Sequence, residues 1–175
     1  MRFVDFLRAT VLLSAGSATS LAVLTLLAAT RDQDERAALV ACGWWLVATL
    51  IGAFVGRRNE VNPPISRLLA EARAATVMPP IRPAATLLNR LWPLLLAVLL
   101  AGAATIVGPQ VPGIAAGFTI IWALAWRRQE SAVRAIEERD GVTFYVERTS
   151  PVRAIRLVRT AGFRRERASV NGTGP

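Results

Sequence analysis

The sequence predicts an all-α integral membrane protein with four transmembrane helices in two hairpins. A cytoplasmic amphipathic helix is expected between spans 2 and 3, and a small C-terminal helix plus β-hairpin after span 4. Three observations carry this. Ala9 to Thr30 and Ala37 to Gly56 hold no charged residue. Leu91 to Trp126 is uncharged over thirty-six residues, broken only by the turn-forming Gly108-Pro109-Gln110-Val111-Pro112-Gly113. The basic residues, all Arg and no Lys, collect between and after these blocks. A hydrocarbon core of ~30 Å takes about 20 helical residues per crossing, and only helices or closed barrels satisfy their backbone in lipid. The expected organisation is a transmembrane domain over residues 1–128, with spans near 9–29, 37–56, 91–108 and 112–128 and a cytoplasmic connection at 57–90. A helix and hairpin module follows over 129–167, then a disordered tail at 168–175.

The opening Met1 to Arg8 is amphipathic and is expected to lie at the headgroups, where arginine snorkels. A basic start, an apolar core and Ala28-Ala29-Thr30 also fit a cleaved secretory signal. Ala9 to Thr30 is longer than the ~7–15 apolar residues such signals use, so an uncleaved anchor is expected. Within this span Thr10, Ser14, Ser17 and Thr25 share one ~80° arc at 100° per residue. They line a polar pathway on one reading. On the other they allow close packing, with hydroxyls bonded inside their own helix. Gly16 and Ser20 form a small-residue pair on another side.

The second span carries Ala48, Gly52 and Gly56 at intervals of four, and the fourth repeats the pattern at Gly113 and Gly117. Such ridges let helices approach, within one chain or between protomers. Cys42, the single cysteine, is expected as a buried apolar filler. Trp92, Trp122 and Trp126 fall where an aromatic belt belongs. Trp44 and Trp45 lie ~10–12 Å into the second block, so the helix starts late or a ring packs in the bundle. Pro93 suits the first turn of the third span.

In the long connection, prolines at 63–64, 79–80 and 83 bracket Ile65 to Val77. Ile65, Leu68, Leu69 and Ala72 share one side while Arg67 and Glu71 face away. This spacing predicts an amphipathic helix on the inner leaflet or the bundle floor, with a solvated linker helix as the alternative. After Arg127-Arg128 helical signals continue from Gln129 to Arg139, with Glu130 four before Arg134 and Asp140-Gly141 as the stop. Val142 to Glu147 reads as a strand, Arg148 to Pro151 as a turn, and Val152 to Thr160 as a second strand. A lone hairpin is marginal in water, so it must pack on its own chain or on another.

Segment charges orient the chain. The N-terminal segment is net +1, the first connection −1, the second +4, the third uncharged and the tail +5. Loops rich in Arg stay in the cytoplasm, so both termini are expected inside an inner cell membrane.

The same composition excludes chemistry. Without His there is neither the commonest general base nor the commonest metal ligand. Without Lys there is no Schiff base or phosphate-loop lysine. No nucleophile elbow, zinc-protease or dinucleotide motif occurs. No catalytic, cofactor or metal residue is therefore nominated, and the protein is expected to be non-enzymatic, with no small-molecule substrate. Three functions remain. One is a scaffold or complex subunit offering a basic cytoplasmic module to a protein partner, with Phe144, Tyr145, Ile155 and Leu157 on docking strands, because unpaired edges accept a further strand. The second is an oligomeric transporter or channel. In gross size the chain is similar to the small multidrug resistance exporters. That family depends on a carboxylate in its first span, however, and the uncharged blocks here hold none. The third is an anionic-lipid binder using Arg57, Arg58, Arg127, Arg128, Arg153, Arg156 and Arg159. Nucleic acid is not expected, since only Phe163 accompanies the late arginines. Membrane lipids and either a protein partner or a second copy of the chain are the expected partners.

Overall fold

Uncharged blocks of this length have one low-energy form in a medium without water, the helix, and the computed structural model is mostly helical. It describes residues 1–57, 61–75, 83–147 and 155–161. The order is α1 (Phe3–Arg31), α2 (Glu35–Val55), α3 (Pro63–Ala70), β1 (Arg73–Ala74), α4 (Pro83–Ala103), a 3₁₀ turn (Ala104–Ile106), α5 (Gln110–Trp126), α6 (Gln129–Asp140), β2 (Val142–Val146) and β3 (Leu157–Ala161). Among the described residues, three helical segments are long and apolar enough to cross a membrane: Phe3–Arg31, Glu35–Val55 and Pro83–Ile106. The stretches predicted to hold the hairpin turn, Val77 and the tail 168–175 lie outside the described residues.

α5 packs between α1 and α2 and organises the bundle. The two glycines near its start permit this. A Cβ on Gly113 would sit 3.2 Å from Thr25 Cγ2, and one on Gly117 would overlap the Trp44 indole. At the other end of α2, Gly52 faces Leu124 and Ile121, and a Cβ on Gly56 would overlap the Leu124 carbonyl oxygen. Trp44 Nε1 donates to Ile114 O at 3.1 Å and Trp45 Nε1 to Gly113 O at 2.8 Å. Both rings therefore belong to the bundle, which explains their depth. α4 is held more loosely; only Leu91 and Ala101 are buried along it.

Apolar side chains collect in two clusters. One, built on Leu21, Ala101 and Ala116, lies within the bundle. The other joins distant parts of the chain: Met1, Phe3, Val4, Phe6 and Leu7 meet Ile65, Leu91, Val133, Phe144, Val146 and Leu157. The three-stranded sheet has the order β1-β3-β2, with β1 parallel and β2 antiparallel to β3. β2 and β3 pair from Val142↔Ala161 to Val146↔Leu157. On the far side of β2, Val146 N donates to Met1 O at 3.0 Å and Arg2 bridges Tyr145. The hairpin thus packs on its own chain.

Several expectations are corrected. Met1 to Leu7 is not a half-exposed amphipathic segment: its large apolar residues are buried in this second cluster. Burial against the sheet removes their surface from any solvent, which half-immersion would not. The helix expected from Ile65 to Val77 ends at Ala70, and Arg73-Ala74 pairs with Val158 and Arg159 instead. Here strand pairing overrides the helical preference of Glu, Ala and Arg. Pro93 is not in a first turn, since α4 begins at Pro83. Ala84 to Arg90 are mostly good helix formers, so the helix outruns the uncharged block. Within it Pro93 leaves the Asn89 carbonyl without its helical donor. The expected continuous helix through Arg127-Arg128 is two helices with a turn between them. Cys42 faces outward rather than filling the bundle.

Candidate functional site

The polar features of the fold gather where α3, α6 and the sheet meet the ends of the long helices. α6 keeps Val133 and Ile136 on its apolar side and stops at Gly141, whose φ of 63° is the left-handed cap expected there. One turn after Val133, on the same side, stands Glu137, 6% exposed. Its Oε2 accepts from Arg2 at 2.9 Å and its Oε1 from the Phe144 amide at 2.9 Å. One carboxylate therefore fastens the first residues, α6 and β2 together. The hydrogen bond to Glu137 holds the Arg2 guanidinium above its ordinary pKa. Burial lowers the Met1 amine, with Asp5 opposing.

Replacing Glu137 separates the two bonds. Glu137→Ala strands a buried amide and should cost about 1–3 kcal/mol. Glu137→Gln keeps an acceptor for Phe144 and loses only attraction to a guanidinium 48% exposed, so its loss should stay near ~0.5–1 kcal/mol. Thermal unfolding in detergent measures both; equal losses would mean that the charge matters rather than the acceptor.

Other ties set the floor of the bundle. Buried Gln129 accepts from Asn62 N at 3.0 Å, and Arg128 Nη1 donates to Arg57 O at 3.1 Å. These fix the start of α3 and the end of α2 against the α5–α6 junction. A shallow cavity of about 230 Å³ opens beside β1, lined by Leu68, Glu71, Arg73, Glu147, Arg156 and Leu157 among others. Outward of β1, no further strand pairs among the described residues. The sheet's other edge is taken by Arg2.

The residues singled out from sequence fall as follows. Gly52, Gly56, Gly113 and Gly117 are contacts between α5 and its neighbours inside one chain, and Ala48 is fully buried. Gly16 and Ser20 are exposed, with nothing within 4 Å of a Cβ built on Gly16. Thr10 and Thr25 are buried, their hydroxyls donating to Phe6 O and Leu21 O within the helix. The buried Ser14 hydroxyl has no hydrogen-bond partner among the described residues. Phe144, Tyr145 and Leu157 are buried in the chain's own packing, and Ile155 lies partly buried against it. Arg57, Arg127, Arg156 and Arg159 are exposed, Arg128 is half-buried, and Arg58 and Arg153 lie outside the described residues. Among the described residues no three His, Cys, Asp or Glu come together.

Sequence reasoning missed Arg2, Asn62, Gln129 and Glu137. Glu137 had a signal: it falls four after Val133, on the apolar side of its helix, where an acid needs a partner. No protein-family model, no curated protein and no solved structure matches this chain. Its functional reading therefore rests on its own geometry.

Proposed function

We propose that the chain is a non-enzymatic scaffold or complex subunit of an inner cell membrane. It crosses four times, keeps both termini in the cytoplasm, and offers its cytoplasmic end to a protein partner. α5, seventeen residues long, spans ~26 Å at 1.5 Å per residue. That is close to the hydrocarbon thickness, which supports a fourth crossing. α1 has 29 residues against the ~20 a crossing needs, so its first turns are free to stand in the polar end.

The observation that carries the reading is asymmetry. The sheet, α3 and α6 pack at one end of the bundle, while the opposite connections are a short turn at Asp32–Asp34 and the uncharged segment 107–109. Recognition therefore belongs to the sheet end, and the outer side of β1 is its open edge. Exposed edges accept a partner strand through main-chain hydrogen bonds.

Two measurements test this. In a Cys42→Ser background, Asp32→Cys should react with an impermeant thiol reagent on intact cells. Glu138→Cys should react only after permeabilisation; the reverse pattern would invert the topology. A photocrosslinker at Arg73 should give one discrete protein adduct, absent when it is placed at lipid-facing Leu39. No adduct, together with solute flux in reconstituted vesicles, would replace the scaffold by a transporter.

A further inference from the structure

The loosely held α4 leaves a groove of about 290 Å³ against α1 and α5. Leu21, Leu94, Ala97, Phe118, Thr119 and Trp122 are among its lining residues. Exposing a lining of this kind to water is unfavourable, and it is at home among lipid chains. The groove's two ends differ in charge. On α4, Arg90 precedes Leu94 by one turn, and Arg90, Leu94 and Ala97 fall within ~60° of arc. A half-buried guanidinium thus stands in line with the groove at that end. Beside it, Trp122 and Trp126 stack at 5.3 Å, as rings at a headgroup boundary do. At the other end, residues 104–109 carry no charge, and Arg31, which lines a cavity with Thr105 and Ile106, is accompanied there by Asp32.

We propose that this groove holds one acyl chain of an anionic phospholipid from the leaflet on the Arg90 side, with the lipid phosphate against Arg90. Arg90 already makes other contacts, but a guanidinium has five donors in a fixed fork, and phosphate is an acceptor suited to it. At the other end Asp32 accompanies Arg31 beside Thr105 and Ile106, so a lipid of the opposite leaflet meets no net positive charge there. Headgroup charge, rather than chain chemistry, decides which lipid resides. The proposal rests on the chain lying in a bilayer and not on the scaffold reading.

The test uses the full chain in mild detergent, titrated with phosphatidylglycerol or with phosphatidylcholine of the same acyl chains and followed by native mass spectrometry. One phosphatidylglycerol should bind about fivefold more tightly than phosphatidylcholine, the worth of one basic residue near an anionic headgroup. Arg90→Gln should abolish that preference and leave phosphatidylcholine binding unchanged. Ala97→Phe, which fills the groove, should weaken both lipids. Brominated phosphatidylglycerol should quench tryptophan fluorescence, and less so in Trp122→Phe, a readout that also serves if a variant folds poorly. Equal affinity for the two lipids, a preference that survives Arg90→Gln, or quenching unaltered by Trp122→Phe would each overturn the site. A chain that stays monodisperse without detergent would instead overturn its premise.

Discussion

Gly56→Val should destabilise the protein by about 3 kcal/mol or more, at the upper end of overpacking costs. A Cβ at this position would overlap the Leu124 carbonyl oxygen, a backbone atom that no rotamer change can move. α2 and α5 would have to part at that end. The opening would spread to Gly52, where an added Cβ would lie 2.9 Å from Leu124 Cβ and 3.0 Å from Ile121 Cα. In lipid, greasy helices gain nothing from mutual burial over burial in acyl chains, so association depends on close packing and short polar contacts. Losing the close approach removes the main attraction α2 has, since Ala41, Ala48 and Gly52 are its only buried residues. Gly16→Ala is the matched control. It adds a methyl to a glycine inside a helix, into open space, and should change stability by no more than about 1 kcal/mol, in the favourable direction. Thermal unfolding in detergent, read by tryptophan fluorescence, reports on Trp44 and Trp45 at the same interface. Should Gly56→Val unfold at the wild-type temperature, the two helices do not meet there.

Phe3→Ala should cost about 3–5 kcal/mol, as truncating a buried aromatic does. Phe3 is 2% exposed and stacks on Phe6, ring centroids 6.4 Å apart. Around it, Ile65, Leu91, Val133 and Phe144 bring together α3, α4, α6 and the sheet. A cavity there would loosen all four at once. Hydrogen exchange should accelerate in β2 and in the first turns of α1, while the α2–α5 interface keeps its protection. A residue merely resting at the headgroups would give neither effect, so unchanged β2 protection would return Met1 to Leu7 to the membrane surface. The same cluster predicts that a chain cut after Arg128 is not a neutral truncation. It would bare Phe3, Val4, Ile65 and Leu91 together, so point variants dissect this end more cleanly than deletion.

Which of these features could be read in advance depends on the physics each needs. α1 and α2 follow from long uncharged blocks, because transfer free energy adds residue by residue and asks for no partner. The stop at Gly141 follows from a local backbone preference. Pro93 misled because a single proline suits a first turn equally well when the true start, Pro83, lies outside the uncharged block. Arg73-Ala74 misled for a different reason. Two residues flanked by Ala, Glu and Arg have no strand signal of their own, and they become a strand only because β3 offers hydrogen bonds. The ridges were legible as close-packing faces, yet identical in pattern to the exposed Gly16–Ser20 pair. Only the neighbours, Leu124, Ile121, Thr25 and Trp44, tell the packed from the bare.

The sequence by itself determined three helices long and apolar enough to cross a membrane: long runs without charge favour helices in lipid whatever surrounds them, and the distribution of arginine predicts an orientation. The tertiary structure alone decided that the first seven residues, the middle connection and the late hairpin close one core around Glu137. It also decided that α5, rather than a partner chain, fills the space between α1 and α2. Hydropathy sums over single residues and is therefore written along the chain. Which side chains meet depends on contacts between residues as far apart as Arg2 and Glu137, and no local pattern records them.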